Sequence, residues 1–318
     1  VKFSVNISET TMNETCLPEK FTSPRRSPQK NDILRPFLKW AGGKRQLLPS
    51  LRKYVPKNFS SINYFEPFVG AGAFLFDLRP RKAVINDANK ELINCYLTIK
   101  DNPDELLSLT REYQKNISKD RYYELRELDR KSTFNELSNV QRAARIIYLN
   151  KTCFNGLFRV NSQGQFNVPY GDNKNPMVAD EVVIKAISKY LNENNIEITN
   201  LDFEKSVSNS KKGDFIYFDP PYDPVSDSSS FTGYDLNGFD KNEQRRLQQV
   251  CDKLVDKGCR LLISNSATDF IKELYDDRSR YTITEVTANR HINSVGTSRG
   301  KINEVLIFSD YDVKQNKK

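Results

Sequence analysis

Tyr64-Phe65-Glu66-Pro67-Phe68-Val69-Gly70-Ala71-Gly72 is the stretch whose reading decides the fold. An apolar run, Tyr64–Val69, closed by two glycines reads as a buried strand handing over to a helix. Phe74–Leu78 follows at helical spacing, and a second apolar run, Ala83-Val84-Ile85, ends in Asn86-Asp87. Two short strands joined by a helix form a βαβ unit, the building block of a parallel sheet. Glycines at such a handover let the backbone approach a ligand. Asp87, 17 positions after Gly70, has the placing of an acid that hydrogen-bonds ribose hydroxyls. The loop falls short of GxGxxG, since Leu75 stands three positions after Gly72, and a plain tightened turn is the competing reading. Gly42-Gly43-Lys44 is not a phosphate-binding P-loop, because Leu38 and Arg45 occupy the positions that need Gly and Ser or Thr.

Outward from this unit the pattern alternates. Upstream, Leu47, Leu48, Leu51, Tyr54 and Val55 fall at helical spacing, with Pro49 tolerable only in a first turn. Downstream, Glu91–Lys100, Asp104–Lys115, Asp120–Lys131 and Val140–Leu149 carry helical periodicity with no strand between them. Phe154–Tyr170, with Gly156, Gly164 and alternating polarity, predicts a hairpin. The αβ pattern then resumes with a helix over Glu181–Leu191, strands at Ile196–Thr199 and Phe215–Phe218, and a long amphipathic helix over Asp240–Lys257. A strand at Arg260–Ser264, a short helix at Thr268–Tyr275, and strands at Tyr281–Val286 and Glu304–Phe308 close it. The sum is an open α/β sheet interrupted once by a helical module. Residues 1–32, rich in Ser, Thr, Pro and Asn, are expected to be a disordered arm.

Asp219-Pro220-Pro221-Tyr222 follows the most apolar strand. Two prolines just past a strand end stiffen the turn, and ligands in open α/β sheets bind at that end. Such a turn holds the Asp219 carboxylate and the Pro220 carbonyl as fixed acceptors beside the flat ring of Tyr222. The set suits the planar exocyclic amine of a base, which donates two N–H bonds while its ring stacks on the tyrosine. An ordinary strand-ending turn is the bland alternative.

Composition narrows the classes. The one His, His291, excludes HExxH and other multi-His metal sites. Five scattered Cys (Cys16, Cys95, Cys153, Cys251, Cys259) without a CxxC pair argue against a disulfide framework and for a reducing compartment. No apolar run reaches 18 residues and the first residues lack the order of a secretory signal, so a cytoplasmic protein with no membrane partner is expected. Net charge is +8, and its distribution says more. Residues 33–89 hold 10 basic and 3 acidic residues, net +7, whereas 178–318 is net −3. Leu137 to Gly171 has no Asp or Glu but keeps Arg142, Arg145, Lys151 and Arg159, as a phosphate-facing surface would; a partly buried helix with incidental arginines is the competing reading.

Four motifs in order now become recognisable. Phe37-Leu38-Lys39-Trp40-Ala41-Gly42-Gly43-Lys44, then Glu66–Gly72, then Asn155-Gly156-Leu157-Phe158-Arg159 with Phe166–Gly171, then Asp219–Tyr222 followed by Pro224, Ser226, Phe231-Thr232 and Tyr234, resemble Dam-type DNA adenine-N6 methyltransferases of the alpha group. The resemblance runs from about residue 34 to about 310. It implies a Rossmann-like, S-adenosyl-L-methionine-dependent sheet with an inserted target-recognition domain: 33–89 plus 178–318 catalytic, 90–177 for recognition. It implies S-adenosyl-L-methionine as methyl donor, without a metal, held by Trp40, Lys44, Glu66, Phe68, Gly70, Gly72, Asp87, Asp202, Phe203 and Asp219. Catalysis would fall to Asp219, Pro220, Pro221 and Tyr222, acting on adenine flipped out of double-stranded DNA. Lys39, Asn155, Leu157 and Arg159 would contact the site, GATC by resemblance, with Arg159 suited to guanine O6 and N7. The implied setting is a restriction-modification system with an endonuclease acting on the same site. Asp172-Asn173 departs from the family, which has a basic–aromatic pair there, and Ser298-Arg299-Gly300-Lys301 matches a mobile family loop. Two rival readings are a cytosine-N4 or RNA amino methyltransferase, and a non-catalytic basic DNA-binding protein.

Overall fold

A computed structural model describes residues 33–40, 44–225, 239–289 and 301–312. The expected arm at 1–32 lies outside these residues, as do 41–43, Ser226, Phe231, Thr232, Tyr234, His291 and 298–300.

Among the described residues the sheet has seven strands. The first five, β1 (Tyr64–Glu66), β2 (Lys82–Asn86), β3 (Asn195–Thr199), β4 (Phe215–Phe218) and β5 (Arg260–Ser266), are joined by parallel pairings. A closing antiparallel pair, β6 (Tyr281–Asn289) and β7 (Lys301–Ser309), adds to β5 through β7. The order is β3-β2-β1-β4-β5-β7-β6. The chain leaves β1 to one side through β2 and β3, then returns to β4 on the other. Strand order therefore reverses at β1 and β4, and a crevice opens beyond their carboxyl ends.

Every residue of β4 is buried because both faces of the sheet are covered. Side chains alternate across a strand, so Phe215 and Tyr217 enter one core and Ile216 and Phe218 the other. The first core is closed by α2 (Ala73–Leu78), α3 (Lys90–Asp101), α6 (Asn139–Thr152) and α7 (Glu181–Glu193), with α4 (Pro103–Lys115) and α5 (Lys119–Arg126) packed outside them. The second core is closed by α8 (Phe203–Ser206), α9 (Lys241–Asp256) and α10 (Asp269–Leu274). Starts are set by side-chain caps: Asn89 accepts from Leu92 N, Asp240 accepts from Asn242 and Glu243 N, and Ser138 with Gln141 forms a capping box on α6. No helix among the described residues is long and apolar enough to cross a membrane.

Three local expectations change. The upstream helix is one short α1 (Leu48–Leu51) between 3-10 turns at Lys44–Gln46 and Arg52–Tyr54, because Pro49 limits its start and Val55, preceding Pro56, is extended. The segment 154–170 is an arch with two isolated antiparallel bridges, Cys153 to Tyr170 and Val160 to Phe166. A continuous ladder is broken where Asn155 and Gly156 take positive φ and Pro169 lacks a donor. The acid-free stretch is not a bare cationic surface either. Arg142 pairs with Glu91, and Arg145, 1% exposed, bonds Leu125 O at 2.6 Å, Arg126 O at 2.8 Å and Asp129 Oδ2 at 2.7 Å. It thereby adds a donor to two of the carbonyls at the end of α5.

Candidate active site

Four acids stand at the carboxyl edge of the parallel strands: Glu66 ends β1, Asp87 follows β2, Asp202 follows β3 and Asp219 follows β4. The loop from β1 to α2 is held tightly. Gly70 and Gly72 have φ of +51° and +75°, and a Cβ on Gly72 would lie 2.7 Å from the Tyr96 hydroxyl. That hydroxyl donates to Gly70 O at 2.9 Å. Asp87 accepts from Gly70 N through Oδ2 at 3.1 Å and from Asn89 N through Oδ1 at 2.9 Å. Burial nevertheless pushes its carboxyl up to about 6. Both oxygens keep further lone pairs for a ligand hydroxyl.

Asp219 lies at the crevice. Its Oδ1 accepts from Lys44 Nζ at 2.8 Å and from Ser264 Oγ at 2.7 Å, and Ser264 is in turn 2.9 Å from the Tyr217 hydroxyl. Burial raises the Asp219 carboxyl, while Lys44 and Ser264 pull it down. Glu66 accepts from the Tyr64 hydroxyl at 2.8 Å; burial drives it well above the usual carboxylate range, and Asp219 adds to this. Lys44 Nζ also stands 4.4 Å from the centre of the Tyr222 ring. The Tyr222 hydroxyl donates to Glu304 Oε2 on β7 at 2.9 Å. Behind the turn, Gln244 donates to Pro221 O at 2.8 Å and Asn265 to Gln244 Oε1 at 3.1 Å, while Asp223 N donates to Asn265 Oδ1 at 3.1 Å. The turn's backbone is thus fixed from α9 and β5, and its ring from β7.

Phe68 and Phe203 meet at 5.5 Å between ring centres, and Phe239 lies 5.5 Å from the former and 5.9 Å from the latter. Asp202 caps α8 through Glu204 N and is gripped by Arg246, whose two terminal nitrogens donate to its oxygens at 3.0 and 2.8 Å. The Arg246 guanidinium lies 4.1 Å over Phe203. The expected acid–aromatic pair is therefore a triad with an arginine from α9.

The remaining expected residues form a second group. Trp40 stacks on Phe158 at 4.7 Å, and a Cβ on Gly70 would sit 2.9 Å from the indole, so Trp40 lies between the glycine loop and the arch. Lys39, Asn155 and Arg159 are exposed and Leu157 half-buried. Arg159 is docked on its own arch, Nε donating to Asn167 Oδ1 at 2.8 Å and a terminal nitrogen to Asn167 O at 3.3 Å. Burial lowers the Lys151 ammonium, and the charges of Lys39, Arg35 and Arg45 lower it further against Asp180.

Sequence reading missed Ser264, Gln244, Asn265, Glu304, Arg246 and Phe239. One signal was available. β5 stays fully buried as it turns from Leu261-Leu262-Ile263 into Ser264-Asn265-Ser266, and buried polar residues at a parallel strand's carboxyl end mark a site.

Strand order, crevice and edge acids define the class: a Rossmann-like α/β enzyme whose site lies at the switch point of the sheet. Residues 40–292 match the family described as D12 class N6 adenine-specific DNA methyltransferase. The chain is 49% identical over 280 residues to the Type II methyltransferase M1.LlaDCHI of Lactococcus lactis subsp. cremoris, covering 88% of this chain and 97% of that one. It is 41% identical over 292 residues to the Type II methyltransferase M.MjaIII of Methanocaldococcus jannaschii, covering 87% and 99%. It is 33% identical over 275 residues to the DNA adenine methylase of Escherichia coli (strain K12), covering 86% and 94%. The chain belongs to the D12 class of N6 adenine-specific DNA methyltransferases.

Proposed function

We propose that the protein methylates adenine N6 within GATC in double-stranded DNA, using S-adenosyl-L-methionine, as the modification partner of an endonuclease cutting the same site in the cytoplasm. The observation that carries the reading is the Asp219–Tyr222 turn, whose Asp219 carboxylate, Pro221 carbonyl and Tyr222 hydroxyl are held from β5, α9 and β7.

The donor set fits the cofactor's polar groups. Asp87 offers acceptors to a ribose diol, and Asp219 and Glu66 to an α-ammonium. The half-buried Phe68, in ring contact with Phe203, offers an apolar surface suited to the cofactor's adenine, with Asp202 next to Phe203 in sequence. Gly70 and Gly72 let the loop approach closely, and Trp40 and Lys44 close the near side. When bound, the cofactor supplies an electrophilic methyl group. The chain's own part is positional. Asp219 and the Pro220 carbonyl accept the two N6 hydrogens and turn the nitrogen lone pair toward the methyl, while Tyr222 stacks on the flipped base. Lys44 Nζ, donating to Asp219 beside the Tyr222 ring, supports the reading that a nitrogen donor can meet Asp219 there. With the cofactor held by these residues, the N6–methyl bond would form as the sulfonium–methyl bond broke, and one N6 proton would leave to water. Residues 90–177 serve as the target-recognition domain, inserted into a catalytic domain of 33–89 and 178–318. Lys39, Asn155, Leu157 and Arg159 read the site.

The test treats unmodified plasmid with enzyme and cofactor, digests it with nucleases of differing sensitivity to GATC methylation, and analyses the nucleosides by mass. N6-methyladenine confined to GATC is expected, and Asp219→Ala should lower turnover by about a hundredfold or more while its melt stays cooperative. N4-methylcytosine, or full activity of the variant, would overturn the reading; methylation of another sequence would remove GATC alone.

A further inference from the structure

One buried side chain ties the Lys39 segment to the arch. Asn150, in the last turn of α6 and 0% exposed, accepts from Lys39 N through Oδ1 at 2.9 Å. Its Nδ2 donates to Lys39 O at 2.8 Å and to Gly156 O at 3.1 Å. A carboxamide presents an acceptor and two donors at one end, so it pairs with both backbone groups of one residue and keeps a hydrogen for a third partner. Lys39 lies outside regular structure, and Gly156 belongs to a single 3-10 turn. Neither has a sheet ladder to set its height.

The packing beside these bonds is equally close. A Cβ on Gly156 would fall 2.4 Å from Lys39 Cδ and 2.9 Å from its Cβ, and Gly156 has φ of +66°. Lys39 therefore lies directly against the arch, with Trp40 on Phe158 beside it. Phe37 and Leu38 anchor the segment in the core through their side chains, and among the described residues Asn150 holds both the N–H and the carbonyl of Lys39.

We propose that Asn150 is a specificity-determining positioning residue. It holds Lys39 and the loop bearing Asn155, Leu157 and Arg159 in one frame, so that they reach base edges together. The inference rests on the proposal that these four residues face the recognition site. Asn150 itself is too deeply buried to touch DNA. Its effect is on discrimination, since base readout depends on donors and acceptors placed to within a fraction of an ångström.

The experiment compares kcat/KM on a duplex carrying the recognised site with kcat/KM on duplexes changed at one base pair. It uses full-length wild type, Asn150→Ala, Asn150→Asp, Lys39→Ala and Arg159→Ala. Asn150→Asp is isosteric but turns an acceptor toward the Lys39 and Gly156 carbonyls. Both Asn150 variants should lose discrimination by about tenfold or more while S-adenosyl-L-methionine affinity stays within about twofold. Combining Asn150→Asp with Lys39→Ala should cost less than the product of the single effects, because both act through Lys39. Full discrimination in folded Asn150 variants, while Lys39→Ala and Arg159→Ala relax it, overturns the inference and spares the readout proposal. Unchanged discrimination in Lys39→Ala and Arg159→Ala sinks the readout proposal itself. Should neither Asn150 variant melt cooperatively, Gly156→Ala decides, since its Cβ would press on the Lys39 side chain within the same bonded frame. Relaxed discrimination then upholds the inference, and full discrimination rejects it.

Discussion

Asp87 keeps both oxygens on backbone N–H groups and still binds its proton more tightly than a free aspartate, because burial outweighs those two bonds. The sign follows. With its carboxyl raised from 3.8 to about 6, the folded chain prefers the protonated acid, so ionising Asp87 costs stability as pH climbs through that window. A ribose diol is better accepted by the ionised form, so cofactor binding should favour the high-pH side. Calorimetric titration should show S-adenosyl-L-methionine affinity flat above about pH 7 and falling by up to about tenfold per pH unit below about 6. Asp87→Asn should bind more weakly throughout and lose the slope; a slope kept in that variant assigns it elsewhere. A second residue-scale outcome concerns the Tyr222 ring. Glu304→Ala removes its acceptor, a bond to a charged group, and kcat should fall by about tenfold with cofactor affinity retained. In Tyr222→Phe the same substitution should have little further effect, and an undiminished loss there would separate Glu304 from the ring. Asp87 and Asp219 were legible because each follows an apolar strand directly. Glu304 and Asn150 were not, because they reach their partners by tertiary pairing across 82 and 111 residues and carry no local signature, and Ser264, 45 residues from Asp219, was marked only by its place at the polar end of an apolar strand.

Elements set by strong local periodicity were legible to within a few residues: the β4 reading coincides with Phe215–Phe218, and the helix read as Asp240–Lys257 is α9 with its cap and one trailing residue. The arch was only half legible. Its return was implied by Gly164, but whether two extended runs form a ladder depends on φ at Asn155 and on Pro169, which alternation does not report. The arginines of α6 show the same limit from the other direction. Sequence placed them in an acid-free stretch, yet Glu91 and Asp129 come to them from α3 and from the 3-10 turn after α5. Cationic character in this region therefore rests on Lys151 and Arg159, and the exposed Asp172-Asn173 at the foot of the arch adds none. Asp172→Arg exchanges a repulsive for an attractive charge beside the proposed DNA path. Binding to a GATC duplex should tighten, and the slope of log affinity against log salt should steepen by about one. An unchanged slope would place Asp172 away from the phosphates.

At the scale of the whole molecule, the basic excess has to be read by face rather than by segment. Residues 33–89 carry a net +7, but they do not all look the same way. Arg81 and Lys82 lie at the amino end of β2, opposite the carboxyl edge that bears Asp87. Arg52 is paired with Asp77, and Lys44 is on Asp219 inside the crevice. Lys39 and Arg45, with Arg35 held by Asp180, instead raise the potential around Lys151, on the side where Trp40 meets the arch. Charges more than a Debye length from the duplex, about 8–10 Å at ordinary salt, contribute little to binding. Segment charge alone would give Lys39 and Lys82 equal weight; the fold gives it to Lys39. Lys253, on α9 in the net-acidic part of the chain, should matter as little as Lys82. Fluorescence anisotropy on a GATC duplex, from low to physiological salt, separates these expectations. Lys39→Ala and Arg159→Ala should weaken binding, most at low salt, with a shallower slope wherever a phosphate contact is lost. Lys82→Ala and Lys253→Ala should leave affinity and slope at the wild-type value. A loss at Lys82 equal to that at Lys39 would mean that net charge rather than one face draws the DNA, and would move the proposed interface off the carboxyl edge of the sheet.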